Sequence, residues 1–276
     1  MTYKFPGEAA LDYFPCRYGQ SKLLFRGPRR RLEGAYVAAI GGAETYGKFV
    51  DEPYPRLLEQ ALGLPVVNFG YMNAGTDLFA GEPVVIDACK RARVTVVQLT
   101  GAQNLSNRFY AVYPRRNDRF LRASTLMITL FREIDFTAFS FTGQMLSELK
   151  RSVPDKFALI EEELKTAWIA RMGTLLKKID SKTVLLWIEG GRDRYGEAGR
   201  EGLGEEPLFV DEDMVKAVRP FATDLVRVRV SDAALSTGTE GMLFMPLEEP
   251  AAATMPGPKV HEEVADALLP VVKRLI

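Results

Sequence analysis

Histidine is almost missing from this chain of 276 residues: His261 stands alone, accompanied by only two cysteines, Cys16 and Cys89. A zinc site assembled from several imidazoles and thiolates is therefore excluded, and no metal is expected. Two cysteines cannot make a disulfide framework either. Charge of one sign is also lacking, because 36 Lys and Arg balance 36 Asp and Glu. With no basic excess there is no global pull toward nucleic acid or acidic lipid, so only local clusters argue for an anion. Nowhere do about 18 apolar residues run together, so no membrane-spanning helix is expected. The first 26 residues interleave Lys4, Glu8, Asp12 and Arg17 with their apolar neighbours, which leaves no signal-peptide core. The expectation is a cytoplasmic protein with neither a membrane nor a nucleic-acid partner.

What is present is a chain long enough to bury a sizeable core. Residues 1–33, punctuated by Pro6, Pro15, Gly19, Gly27 and Pro28, read as an irregular arm. Residues 35–40 form a short apolar run that stops at Gly41 and Gly42, as a buried strand entering a turn would. A helix over 55–62, a strand over 65–68, a helix over 83–92 and a strand over 94–99 follow. That alternation predicts a parallel sheet with helices on both faces. Residues 183–187 and 224–230 supply two more strands. Arg227 and Arg229, alternating along the second, place it at an edge, and a helix over 259–276 closes the chain. The fold class is a three-layer α/β, flavodoxin-like plan with about five parallel strands in a single domain spanning 1–276.

Residues 107–179 read as a helical insertion covering the carboxyl edge of the sheet. Its last helix, with Asp155 as N-cap, carries Phe157, Ile160, Leu164, Trp168, Met172, Leu175 and Ile179 at steps of three and four, a stripe for core packing. Residues 190–206, rich in glycine and charge, read as a loop with the character of a lid.

Ligands of open parallel sheets bind beyond the carboxyl ends of the strands. There the sequence places Gly41, Gly42, Ala43, Glu44 and Thr45 after the first strand. Gly70, Asn73 and Asp77 follow the second, and Gly101, Ala102, Gln103 and Asn104 the third. In their order these blocks, with Met255 to Ala265 near the end, resemble the motifs of the SGNH hydrolases. The resemblance implies a nucleophilic serine in the first block and an oxyanion hole shared by a glycine amide and an asparagine, here Gly70 and Asn104. It also implies an Asp-x-x-His pair before the last helix. In this chain Ala43 stands at the serine position, Met255 at the histidine position and Ala252 at the aspartate position, so ordinary serine hydrolysis has no parts to run on. The pattern also resembles an uncharacterised bacterial family, a domain of unknown function, through Gly41–Thr45, Asn73–Asp77 and Pro114 to Phe120.

Two carboxylates, Glu44 and Asp77, are candidate catalytic groups if burial raises one of them; the plainer reading of Glu44 is favourable charge at a helix start. Gly42, Ala43, Thr45, Gly70, Asn73 and Asn104 are candidate ligand-binding residues, Thr45 bracing the turn. Arg29 and Arg30 before the first strand, and Arg115, Arg116 and Arg119 in the insertion, are candidate anion-binding residues, since guanidinium forks suit phosphate or carboxylate. Pairing with acids such as Asp118 and Glu33 is the alternative. Cys16 beside Arg17 is weak ground for an activated thiol, and His261, flanked by Glu262 and Glu263, reads as a surface residue. Three functions follow: a pseudoenzyme binding a small polar or anionic ligand, a hydrolase or acyltransferase run by Glu44 or Asp77, or an assembly protein forming a homo-oligomer. None calls for a cofactor.

Overall fold

The structure, a computed structural model, describes residues 11–190 and 202–276. Most of the glycine- and charge-rich stretch expected as a loop lies outside the described residues, as do the first ten residues of the arm.

Among the described residues there are seven strands: β1 (Val37–Ile40), β2 (Val66–Asn68), β3 (Val94–Gln98), β4 (Tyr110–Tyr113), β5 (Arg116–Ala123), β6 (Thr183–Glu189) and β7 (Asp224–Arg229). Eleven α-helices accompany them among the described residues. They are α1 (Ala43–Tyr46), α2 (Tyr54–Leu62), α3 (Thr76–Ala80), α4 (Pro83–Arg91), α5 (Thr125–Leu130), α6 (Thr142–Ser152), α7 (Pro154–Ile179), α8 (Glu212–Val218), α9 (Asp232–Ser236), α10 (Glu249–Ala252) and α11 (Pro258–Leu275).

Five strands form one parallel sheet in the order β2-β1-β3-β6-β7. Counting only these five, the order is 2-1-3-4-5, the flavodoxin-like winding, whose direction reverses between β1 and β3. The strands read as unbroken apolar runs because both faces are covered. Alternate residues feed two cores. Val37, Ala39, Val94, Val96, Val184 and Leu186 pack with Leu58 of α2 and Val264 and Leu268 of α11 on one face. Ala38, Ile40, Val97, Leu99, Leu185 and Trp187 pack with Leu78 of α3, Val85 of α4 and the α7 stripe on the other. All seven expected stripe residues of α7 are buried. Strand β7 is an edge, and its Arg227 and Arg229 are exposed as the alternation required.

Three expectations need correction. The insertion is not wholly helical, because β4 and β5 form an antiparallel hairpin. Proline at 114 ends one strand, and the alternation of buried Val112, Asn117 and Phe120 with exposed Tyr113, Arg116 and Leu121 lets the pair lie flat on the core. Asp155 is not the N-cap of α7; Val153 holds that place, Pro154 opens the helix and Asp155 supplies first-turn charge. His261 is 2 % exposed, on the buried face of α11 with Val260, Val264 and Leu268.

Candidate functional site

A single amide side chain organises the carboxyl end of β1. The chain leaves β1 through Gly41 and Gly42 into the four-residue α1, whose first amides have no intrahelical acceptor. Gln98, the last residue of β3, provides one. Its Oε1 accepts from the Gly42 amide at 3.0 Å, from the Thr45 amide at 3.2 Å and from Thr45 Oγ1 at 2.6 Å. Three donors at one oxygen fix which way the amide faces, so its Nε2 must point to the other side. There it donates to Glu44 Oε2 at 2.7 Å. Because the Thr45 proton goes to Gln98, the Tyr54 hydroxyl 2.8 Å away donates to Thr45 Oγ1. Tyr54 is fully buried, and burial pushes its phenol pKa up. Behind it the Tyr54 amide donates to His261 Nδ1 at 3.2 Å, and the two rings stack at 6.3 Å. His261 is thus held neutral; burial, aided by Arg26, lowers its pKa to about 4, against a smaller upward pull from Glu44.

Beyond this relay opens a cleft with a cavity volume of about 80 Å³, room for several waters or a small molecule. It sits at the reversal point between β1 and β3, where this winding leaves a crevice. Its polar wall comprises Glu44, Gln98, Gln103, Asn104, Asn73 and Glu206, and its apolar wall comprises Ile188, Val230, Leu235, Met255 and Val260. The hairpin and α6 brace the polar wall. Thr142 Oγ1 donates to Asn104 Oδ1 at 2.8 Å, Asn104 Nδ2 to the Asn73 carbonyl at 3.3 Å, and Asn73 Nδ2 to Asp118 Oδ2 at 3.4 Å. Trp168 of α7 donates its indole N–H to the Thr100 carbonyl from below.

Of the residues expected at the site, Gly42, Ala43, Glu44, Asn73 and Asn104 line this cleft together. The others do not. Thr45 is buried behind the wall, and its hydroxyl bonds side chains rather than the backbone of its turn. Gly70 packs flat against α1, where a Cβ would lie 2.2 Å from the Tyr46 nitrogen, and its amide donates to Asn68 Oδ1 at 2.8 Å. Its amide is therefore already used and faces no cleft. Asp77 lines a separate hollow with Ser106, Arg115 and Asn117. Burial raises its pKa, countered by the Arg171 ion pair at 3.4 Å and the Ser106 amide. Glu44 and Asp77 thus share no pocket and make no acid–base pair.

The arginines also part company. Arg30 grips Glu59 with two hydrogen bonds, at 2.7 and 2.5 Å, and Arg116 pairs with Asp118 at 3.4 Å. Arg29 lies over the Tyr18 ring and Arg119 over Phe141, while Arg115 belongs to the Asp77 hollow. None of the five reaches the cleft, and among the described residues no lysine, arginine or histidine lines it. The two clusters therefore do not meet at the cleft. Cys16 is not activated either: burial raises its thiol pKa more than Tyr18 and the nearby arginines lower it.

Of the three positions at which the resemblance implies a triad, Ala43 and Met255 line the cleft, whereas Ala252 is buried among Phe49, Met242 and Phe244. The residues that sequence reasoning passed over are Gln98 and Gln103. The signal for Gln98 was an amide side chain closing a wholly buried strand in which Thr95 is the other polar residue.

Among the described residues, no helix is long and apolar enough to cross a membrane, and no cluster of His, Cys, Asp and Glu could hold a metal ion. No curated protein matches the chain. Among solved structures it is similar to the crystal structure of a lipase from a goat rumen metagenome, at 14% identity, covering 88% of this chain and 100% of that one, with a TM-score of 0.43. A family model described as a domain of unknown function (DUF6473) matches residues 1–276, and the chain belongs to that family.

Proposed function

We propose that this is an SGNH-like protein whose cleft binds a small, neutral polar ligand and whose serine-hydrolase chemistry has been lost. One observation carries the reading: a crevice at the reversal point of the sheet is lined by the polar side chains of Glu44, Gln98, Gln103, Asn104, Asn73 and Glu206 together with apolar Ile188, Val230, Leu235, Met255 and Val260. Amide side chains and the carboxylates of Glu44 and Glu206 suit hydroxyl and amide donors. The anionic version of the ligand loses its support with the arginines.

The SGNH likeness rests on the order of the glycine blocks, on Asn104 after β3 and on Met255 facing the cleft beside Ala43. With alanine and methionine there, neither nucleophile nor base is available for acyl transfer.

A second reading keeps catalysis and assigns it to Glu44 alone, as a general base acting on water. It is favoured by the position of Glu44 in the cleft wall, 2.7 Å from Gln98 Nε2. Hydrolysis of a nitrophenyl acetate by wild type and Glu44→Gln separates the two. The binding reading predicts rates no higher than a protein-free blank for both. Turnover by wild type that Glu44→Gln abolishes would replace it with the second reading.

A further inference from the structure

Most of the cleft's polar side chains are pinned by hydrogen bonds within the protein: Gln98 by four, Asn104 by two and Asn73 by one. Gln103 differs. It is 4 % exposed and lines the cleft, yet its Oε1 has no hydrogen-bond partner among the described residues. A buried amide oxygen left unpaired is costly and uncommon. The backbone is also shaped around it, since a Cβ on Gly101 would stand 2.1 Å from Gln103 Oε1. Glycine at 101 thus leaves room for that carboxamide to lie against the chain, and any larger residue would displace it. The rest of residue 103 is firmly held, its carbonyl accepting the Tyr110 hydroxyl at 2.7 Å. Only the end of the side chain lacks an anchor.

We infer that the Gln103 carboxamide reads the ligand, turning about its last torsion to pair with a neutral donor–acceptor edge such as that of a primary amide, lactam or urea. This rests on the cleft being the ligand site. A carboxamide carries an acceptor oxygen beside two N–H donors, so its matching partner places N–H and C=O side by side. The apolar wall of Ile188, Val230, Leu235 and Met255 takes the hydrocarbon remainder of such a molecule. An ester or a tertiary amide offers no donor and leaves Oε1 unpaired, so the site rejects it.

The probes are isobutyramide, N,N-dimethylisobutyramide and isobutyrate, titrated into ¹⁵N-labelled full chain and followed by amide chemical shifts. The inference expects isobutyramide to shift the Gly42, Gly101 and Asn104 signals in wild type. It expects the dimethyl amide and isobutyrate to bind about tenfold more weakly, one net hydrogen bond's worth. Gln103→Met, close in shape but apolar, is expected to lose that preference while melting at or above the wild-type temperature. A lower melting temperature for Gln103→Met would make the residue structural and overturn the inference. Equal binding of amide and dimethyl amide, or tighter binding of isobutyrate, would overturn it as well, yet leave the cleft as a ligand site. Failure of all three probes to shift cleft signals overturns the inference. The proposed function falls with it only if a broad small-molecule screen also leaves the cleft empty.

Discussion

Gln98 Nε2 donates to Glu44 Oε2 at 2.7 Å while the same side chain's oxygen collects the Gly42 and Thr45 amides. One carboxamide therefore links the end of β3 to the turn after β1 and orients Glu44, one of the carboxylates that line the cleft. The arrangement has a measurable consequence for stability. Gln98→Leu would strand two buried amides and the Thr45 hydroxyl, at a cost on the order of 3 kcal/mol. Thr45→Val, which leaves the amide acceptor in place and strands only the Tyr54 hydroxyl, is expected to cost about 2 kcal/mol. Urea denaturation of both variants checks the order; equal losses would mean that Gln98 is not the organising group.

Gly70 has a tighter constraint than a catalytic amide would impose. A methyl group there meets the backbone of Thr45 and Tyr46 at 2.2 to 2.7 Å. Gly70→Ala must therefore push α1 away from β2, and a destabilisation of about 2 kcal/mol or more is expected from overpacking. A variant melting like wild type would show that the turn has room.

His261 supplies a pH signature. Its folded pKa is about 4, below the ordinary 6.5 of the unfolded chain. Between those values the unfolded state binds more protons, so the contribution is full above pH 6.5 and is lost as pH falls toward 4. The shift corresponds to about 3 kcal/mol. Comparing denaturation midpoints of wild type and His261→Gln from pH 7 to pH 4 tests this. Parallel slopes for the two proteins would assign the acid sensitivity to other groups.

Installing a Ser-His-Asp triad is expected to fail for a geometric reason. Ala43→Ser with Met255→His places two new groups at the cleft, but the third position, Ala252, is buried among Phe49, Met242 and Phe244. Ala252→Asp would bury a carboxylate in apolar surroundings and destabilise the protein by about 2 kcal/mol or more. The triple variant should hydrolyse nitrophenyl acetate no faster than the double, and a clear gain would mean that residues 249–257 rearrange.

The parallel sheet was legible because buried strands and an amphipathic α7 leave unbroken apolar runs and a stripe that depend on local sequence alone. The hairpin was harder: four residues of β4 beside a proline give too short an alternation to outweigh the helical character around them. The burial of His261 was readable, since it falls in step with Val264, Ala265 and Leu268 on α11, but its two glutamate neighbours drew attention to the wrong face. Glu44, Asn73 and Asn104 share the cleft because they follow strands adjacent in the sheet. Asp77 does not join them, as it lies inside α3 and turns to Ser106 and Arg171. The fates of Arg30 and Arg116 depended on Glu59 and Asp118 coming within reach, and Arg30 meets its partner only through tertiary packing 29 residues along.

The central claim is that the crevice between β1 and β3 is where a ligand binds. A crystallographic small-molecule screen on the full chain measures this directly, run alongside Thr254→Trp, which puts an indole in place of a half-buried threonine in the cleft lining. The account predicts density for several polar molecules against Glu44, Gln103 and Asn104 in wild type, and none there in Thr254→Trp. Molecules gathering instead in the Asp77 hollow, or nowhere, while the cleft holds only water, would contradict it.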